Sequence, residues 1–149
     1  MKIVNKIWTR SYEQIEEYEA GVVLTGAEYK SLYEGRAKLE AAYVKIKGDE
    51  AWLYNMEIFK YRFDGSLEYE PTRIRKLLLN RREILRWQTK MASEPRLTII
   101  PTACYSKGPK IKVRIALVRG RTNTQKRRLE RDAKVKRAQE REAKSYMKK

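Results

Sequence analysis

The 149-residue chain contains no histidine and a single cysteine, Cys104. Without histidine there is no Ser-His-Asp or Cys-His nucleophile arrangement, no His-ligated metal site and no ordinary general base near neutral pH. One cysteine forms no internal disulfide and no zinc ribbon, which favours a reducing compartment, and a lone cysteine reads first as a small buried hydrophobe. No apolar run approaches the roughly 18 residues of a membrane span, and Met1 to Arg10 lacks the apolar centre of a signal peptide. A soluble, cytoplasmic protein is expected. The only aspartates, Asp49, Asp64 and Asp132, lie far apart in turn-like or tail contexts, a poor basis for holding catalytic metal ions. Glu13, Glu16, Glu17 and Glu19 do cluster, and they read as a solvated face. Gly21 and Gly26 form neither a GxGxxG nor a Walker pattern. These absences point to a binding protein and not an enzyme, with no metal and no cofactor.

Positive charge is what the chain has in excess: 35 Lys and Arg against 19 Asp and Glu give a net charge of +16. A cut at Val118 separates a body, residues 1–118, with 22 basic and 15 acidic side chains, from a tail, 119–149, with 13 and 4. The tail has Leu129 and Val135 as its only branched aliphatics, too little apolar area to offset about 1–2 kcal/mol of backbone ordering per residue. It nevertheless lacks Gly and Pro after Gly120 and is rich in Ala, Lys, Arg, Glu and Gln from Gln125 to Lys144. The tail is therefore expected to be disordered when free and to become helical on binding.

In the body, Tyr18 to Leu24 reads as a strand ending at the turn or cap signal Thr25-Gly26. Ala27 to Glu34 reads as a short helix stopped by Gly35. Tyr43–Ile46 and Trp52–Tyr54 read as a hairpin. From Pro71 to Trp87 the spacing of Ile74, Leu77, Leu78, Ile84 and Leu85 predicts helix, with a break at Asn80, which forms a capping box with Glu83. Leu97 to Tyr105 is a β-rich run in which Pro101 implies an edge or a bulge, and Lys107-Gly108-Pro109 is a turn. Ile111, Val113, Ile115 and Leu117 then alternate with Lys110, Lys112, Arg114 and Ala116, a strand with one apolar and one basic face. Many short strands with few helices predict a mainly β domain, a small antiparallel barrel with accompanying helices. Trp8, Trp52, Tyr43 and Tyr54 are candidate core residues.

The basic side chains form three clusters: Arg73 to Lys90, which includes Arg75 and Lys76; the strand face of Lys110, Lys112 and Arg114; and the tail from Arg119. Neighbouring acids are scarce, so the clusters predict a polyanionic partner held by phosphate contacts. The tail lacks the apolar face of an interfacial helix, which disfavours a membrane. Lys126, Arg127, Arg128 and Arg131 lie within about two helical turns and can meet phosphates from one side. A nuclease remains the alternative from another class.

The elements occur in an order that resembles the SmpB family, which binds transfer-messenger RNA in bacterial ribosome rescue. The resemblance rests on Asn5-Lys6, Tyr18-Glu19-Ala20-Gly21, the stretch from Gly26 to Leu32, the run from Pro71 to Asn80, and Arg119-Gly120-Arg121. It implies an oligonucleotide-binding-like (OB-like) barrel gripping the tRNA-like domain of that RNA. Glu19, Leu78 and Asn80 would belong to the RNA-binding surface, with Asn5, Lys6 and Tyr12 nearby. It further implies a tail that becomes helical in the small-subunit decoding centre and messenger channel, with Arg119 and Arg121 at its base, and a protein that is a monomer when free. Another ribosome-associated RNA-binding factor is the alternative within binding proteins. Three positions depart from the family pattern: Arg10 stands where a histidine is usual, and Thr124-Gln125 stands where an aromatic or histidine precedes aspartate.

Overall fold

The structure is a computed structural model and describes residues 1–147. In chain order the elements are β1 (Lys2–Val4), α1 (Trp8–Ser11), β2 (Tyr12–Val22), α2 (Gly26–Tyr33), β3 (Ala37–Lys38), β4 (Tyr43–Lys47), β5 (Glu50–Tyr54) and β6 (Glu57–Ile58). They continue as β7 (Arg75–Leu78), α3 (Arg81–Ser93), β8 (Leu97–Lys107), β9 (Lys110–Gly120) and α4 (Asn123–Met147).

Six strands follow one another round an antiparallel ring, β8-β4-β5-β7-β2-β9, and β9 pairs back onto β8. The joints are uneven. β2 and β8 each pair with β9 along most of their length, whereas β4 meets β8 only at Val44 and Ile99. This is the expected small barrel, with β1 pairing with Ala103–Tyr105 of β8 on the edge that β4 meets at Ile99, and β3–β6 forming a separate two-stranded patch.

Alternation explains which side chains fill it. Val44, Leu53, Leu77, Ile99, Val113, Ile115 and Leu117 point inward and are almost wholly buried. Gly48 and Gly108 take φ of +64° and +62° in the two hairpin turns, where a side chain would be strained. Pro101 lies in the middle of β8 and is accommodated by a bulge between Pro101 and Ala103, the second of the two expected outcomes. At α2, Thr25 and Glu28 form a capping box, with the Glu28 N–H donating to Thr25 Oγ1 at 3.2 Å and the Thr25 N–H to Glu28 Oε1 at 2.9 Å.

Three expectations are corrected. Residues before Asn80 are not helical: Arg75–Leu78 is a strand, and helix starts only at Arg81. Leu77 and Leu78 share a helical face on a wheel, but here Leu77 is buried and Leu78 is 55% exposed, the alternation of a strand. The second is the first long strand, which begins at Tyr12 and ends at Val22, so the glutamate cluster is part of the sheet. Finally, Trp8, Trp52, Tyr43 and Tyr54 are only half-buried; the aromatic at the centre of the core is Trp87, stacked on Tyr18 with ring centroids 4.4 Å apart. Among the described residues no helix is long and apolar enough to cross a membrane.

Candidate nucleic-acid interface

Between β7 and β9, strand β2 presents Glu19 and Gly21 on the outside of the barrel. Gly21 is the register partner of Leu78 on one side and Lys112 on the other. Because residue 21 has no side chain, a shallow pocket of about 470 Å³ opens there, lined among others by Thr25, Tyr29, Leu78, Lys110 and Lys112. A Cβ at position 21 would stand 3.3 Å from Leu78 Cβ and Cδ1. Leu78 is therefore an exposed apolar anchor over Gly21, whose own backbone is buried at the bottom of the pocket. Asn80, two residues on, caps α3: the Glu83 carboxylate accepts the Asn80 N–H at 3.0 Å, and the Asn80 side chain is exposed.

Glu19 is held in place by two donors. The Tyr105 hydroxyl donates to Oε2 and the Lys107 ammonium to Oε1 at 3.2 Å. These bonds, Tyr105 first, keep the Glu19 carboxyl below the usual carboxylate range. Arg114 lies opposite Glu19 in the ladder, and its guanidinium sits 5.4 Å from the centre of the Tyr105 ring. A fixed carboxylate among Lys107, Lys112 and Arg114 is an acceptor of the kind that suits base N–H groups or a ribose 2′-OH, with cations around it of the kind that suit phosphates. Tyr105 and Lys107 were not singled out by sequence; their signal was the i, i+2 spacing that puts both on one face of a strand.

The basic run from Arg73 to Lys90 divides once acids distant in sequence are placed. Arg75 is fully buried, donating through Nε to Glu28 Oε2, through Nη1 to the Met56 carbonyl at 2.7 Å and through Nη2 to the Pro71 carbonyl at 3.0 Å. Its donors face inward, so Arg75 is a structural residue and leaves the candidate interface. Arg73 pairs with the same Glu28 at 2.6 Å, and Lys76 with Glu50 at 3.1 Å. Arg86 and Lys90 each reach Glu16 Oε1 at 2.6 Å, while Trp87 Nε1 donates to Oε2 at 2.9 Å. Hydrogen bonds from Arg86 and then Lys90 hold the Glu16 carboxyl far below its ordinary value. Among the described residues no acid lies within 4.0 Å of Arg81, Arg82, Lys110, Lys112 or Arg114. These unpaired cations flank the Gly21–Leu78–Asn80 surface. Two of them, Arg81 and Arg82, open α3, where the helix dipole disfavours positive charge.

Asn5 and Tyr12 are elsewhere. Tyr12 begins β2 opposite Gly120, seven residues or roughly 23 Å along the strand from Glu19 at about 3.3 Å per residue. Asn5 is buried against the β8 bulge, with its Nδ2 donating to the Pro101 carbonyl at 3.2 Å and its Oδ1 without a partner. Together with Trp8 and Tyr43 the two residues line a second pocket of about 210 Å³; Lys6 is exposed beside it.

The base of the tail is anchored. β9 continues to Gly120, two residues past Val118. Arg119 donates to Glu94 through Nε and lies 3.5 Å from Glu13, while Arg121 donates through its backbone N–H to the Ser11 carbonyl at 2.8 Å and through Nε to the Thr9 carbonyl at 3.1 Å. Gln125 has a structural role: its Oε1 accepts the Thr122 N–H at 2.9 Å, and its own N–H donates to Thr122 Oγ1 at 3.2 Å, a capping box for α4. Arg10, the other departure, pairs with Glu130 at 2.6 Å. Lys126, Arg127, Arg128 and Arg131 have no acid within 4.0 Å among the described residues, and all but the half-buried Lys126 are exposed.

The SmpB protein family matches residues 2–145. The chain belongs to the SmpB family. The SsrA-binding protein of Persephonella marina is 46% identical to this SmpB-family chain over 132 residues, covering 87% of it and 86% of the relative. That of Aquifex aeolicus is 43% identical over 141 residues, covering 94% and 89%. A solved chain described as "tmRNA-SmpB: a journey to the center of the bacterial ribosome" superposes with a TM-score of 0.63 at 34% identity, over 76% of this chain and 80% of that one.

Proposed function

We propose that this chain is an adaptor without catalytic activity of its own, which binds the tRNA-like domain of transfer-messenger RNA and delivers it to stalled ribosomes in trans-translation. Family membership supplies the partner class, and the observation that carries the site is the Glu19 carboxylate held by Tyr105 and Lys107 across bare Gly21 from exposed Leu78. In this reading Glu19 and Asn80 hydrogen-bond the RNA, Leu78 packs against a base or ribose, and Arg73, Lys76, Arg81, Arg82, Lys110, Lys112 and Arg114 supply phosphate contacts. The Asn5, Lys6 and Tyr12 end is a further contact area.

The tail makes the ribosomal contact. From Asn123 to Ser145 the side chains of α4 are almost all exposed and give it almost no packing there, and a helix without packing is marginal in water. Off the ribosome it exchanges with unfolded states; in the messenger channel, phosphates around Lys126, Arg127, Arg128 and Arg131 hold it helical. Arg119 and Arg121 orient its base. The protein works as a monomer in the cytoplasm.

Glu19→Lys tests this reading. The substitution adds positive charge, so a general electrostatic binder gains affinity for a tRNA-like RNA. A site that uses the carboxylate loses it, by about tenfold or more for a lost charge-assisted contact of about 1.5–3 kcal/mol. A gain in affinity contradicts the proposal.

A further inference from the structure

The hairpin β4–β5 carries an unassigned surface on another part of the barrel. Val44, Ala51 and Leu53 point into the core, so Tyr43, Lys45 and Lys47 on β4 and Trp52 and Tyr54 on β5 point outward. The register sets Tyr43 opposite Tyr54 and Lys45 opposite Trp52, and β7 places Lys76 on the other side of Trp52. A row Lys45–Trp52–Lys76 thus crosses three strands beside a tyrosine pair. The two tyrosine rings are nearly parallel, 8° apart with centroids at 5.4 Å. Lys45 Nζ lies 5.6 and 5.4 Å from their centres, and Lys47 Nζ 5.4 Å from that of Tyr54.

A cross-strand tyrosine pair supports a hairpin by itself. It does not account for two exposed lysines above the rings that have no acid within 4.0 Å among the described residues. Aromatic faces interleaved with unpaired cations are what single-stranded nucleic acids use: bases stack on rings and phosphates meet ammonium groups. A duplex keeps its base faces covered and offers nothing to the rings. Tryptophan and tyrosine also anchor protein interfaces, but lysine is depleted there, so two lysines lying over the rings favour a polyanion.

We propose that the β4–β5 face is a second RNA site, which takes a short unpaired stretch by stacking on Trp52 and Tyr54 with Lys45 and Lys47 on its phosphates. It lies across β7 from the Gly21 groove, with Lys76 standing between the two, and it does not depend on which RNA fills that groove. An adaptor with two RNA faces holds one RNA against another.

Titration of the full chain with a 12-nucleotide oligouridylate, followed by tryptophan fluorescence, tests this. The probe quenches the protein, and the component reporting this face is the part that disappears in Trp52→Phe, which retains a ring; buried Trp87 and half-buried Trp8, in the Asn5–Tyr12 pocket, make up the remainder. Lys45→Ala/Lys47→Ala, two exposed positions that leave the melting temperature unchanged, shifts the midpoint of that component about tenfold at low salt. The same variant lowers the slope of log affinity against log salt by about 1.4, two single-strand phosphate contacts. Leu78→Ala leaves the component unchanged, and a blunt RNA duplex used in place of the oligouridylate gives no Trp52 component. Absence of a Trp52 component, or a wild-type midpoint and slope in the double lysine variant, overturns the proposal.

Discussion

Gly21 on β2 and Leu78 on β7 are register partners, and a methyl group added to Gly21 would stand 3.3 Å from the Leu78 side chain. The contact is tighter than ordinary packing: Leu78 Cδ1 can turn away, but Leu78 Cβ, equally close, moves only with the β7 backbone. Gly21→Ala is therefore expected to shift Leu78 by a few tenths of an ångström, leave stability within about 1 kcal/mol of wild type, and weaken binding of a tRNA-like RNA. Gly21→Val fills the pocket and should weaken it further. Thermal melts and filter binding check both; equal affinity for all three proteins contradicts the account of the groove.

Arg75 and Arg81 separate structural from interfacial cations. Arg75→Met leaves Glu28 with only the half-exposed Arg73 as its cationic partner, and loss of one member of a buried pair costs about 3–5 kcal/mol. The urea midpoint should fall sharply. Arg81→Ala changes stability by no more than about 0.5 kcal/mol but lowers RNA affinity and makes it less salt-dependent.

Glu16 ties β2 to α3. Its carboxyl is depressed by Arg86 and Lys90, so the ionised form is favoured by folding. That contribution is fully present above the unfolded carboxylate value of about 4.3 and is lost progressively as pH falls below it toward the depressed folded value. Glu16→Gln should thus be less stable than wild type at pH 7, and the gap in urea midpoint should narrow by pH 3. A gap that is constant across this range contradicts the role of the charge.

The fold was legible in sequence wherever the signals were local. Both long hairpins, the α2 cap, the Asn80–Glu83 cap and the apolar-basic alternation of β9 follow from neighbours a few residues apart. β7 was not, because four residues are too few to show a period and Leu77-Leu78 fits either. The pairing of the basic run was hidden for a different reason. Glu28 is 47 residues from Arg75 and Glu16 is 70 from Arg86, so an arginine-rich stretch with one local acid looked like free surface. Glu19 and Leu78 entered through family resemblance; the residues that fix Glu19, Tyr105 and Lys107, needed the register of three strands.

The tail and the barrel should fail in different assays. A chain ending at Thr122 keeps all of β9 and the Arg119 and Arg121 anchors, and is expected to bind the isolated RNA nearly as well as wild type while supporting no tagging of stalled chains. Reversing Lys126, Arg127, Arg128 and Arg131 to Glu in the full chain should do the same. Parallel loss in both assays would make the tail a general RNA clamp.

Sequencing the RNA that copurifies with the full chain from its own cells tests the central claim most directly, with Glu19→Lys purified in parallel. The account predicts that transfer-messenger RNA dominates the wild-type sample far beyond its cellular abundance and is depleted in the variant. A mixture that mirrors cellular RNA abundance, or a profile that Glu19→Lys leaves unchanged, contradicts it.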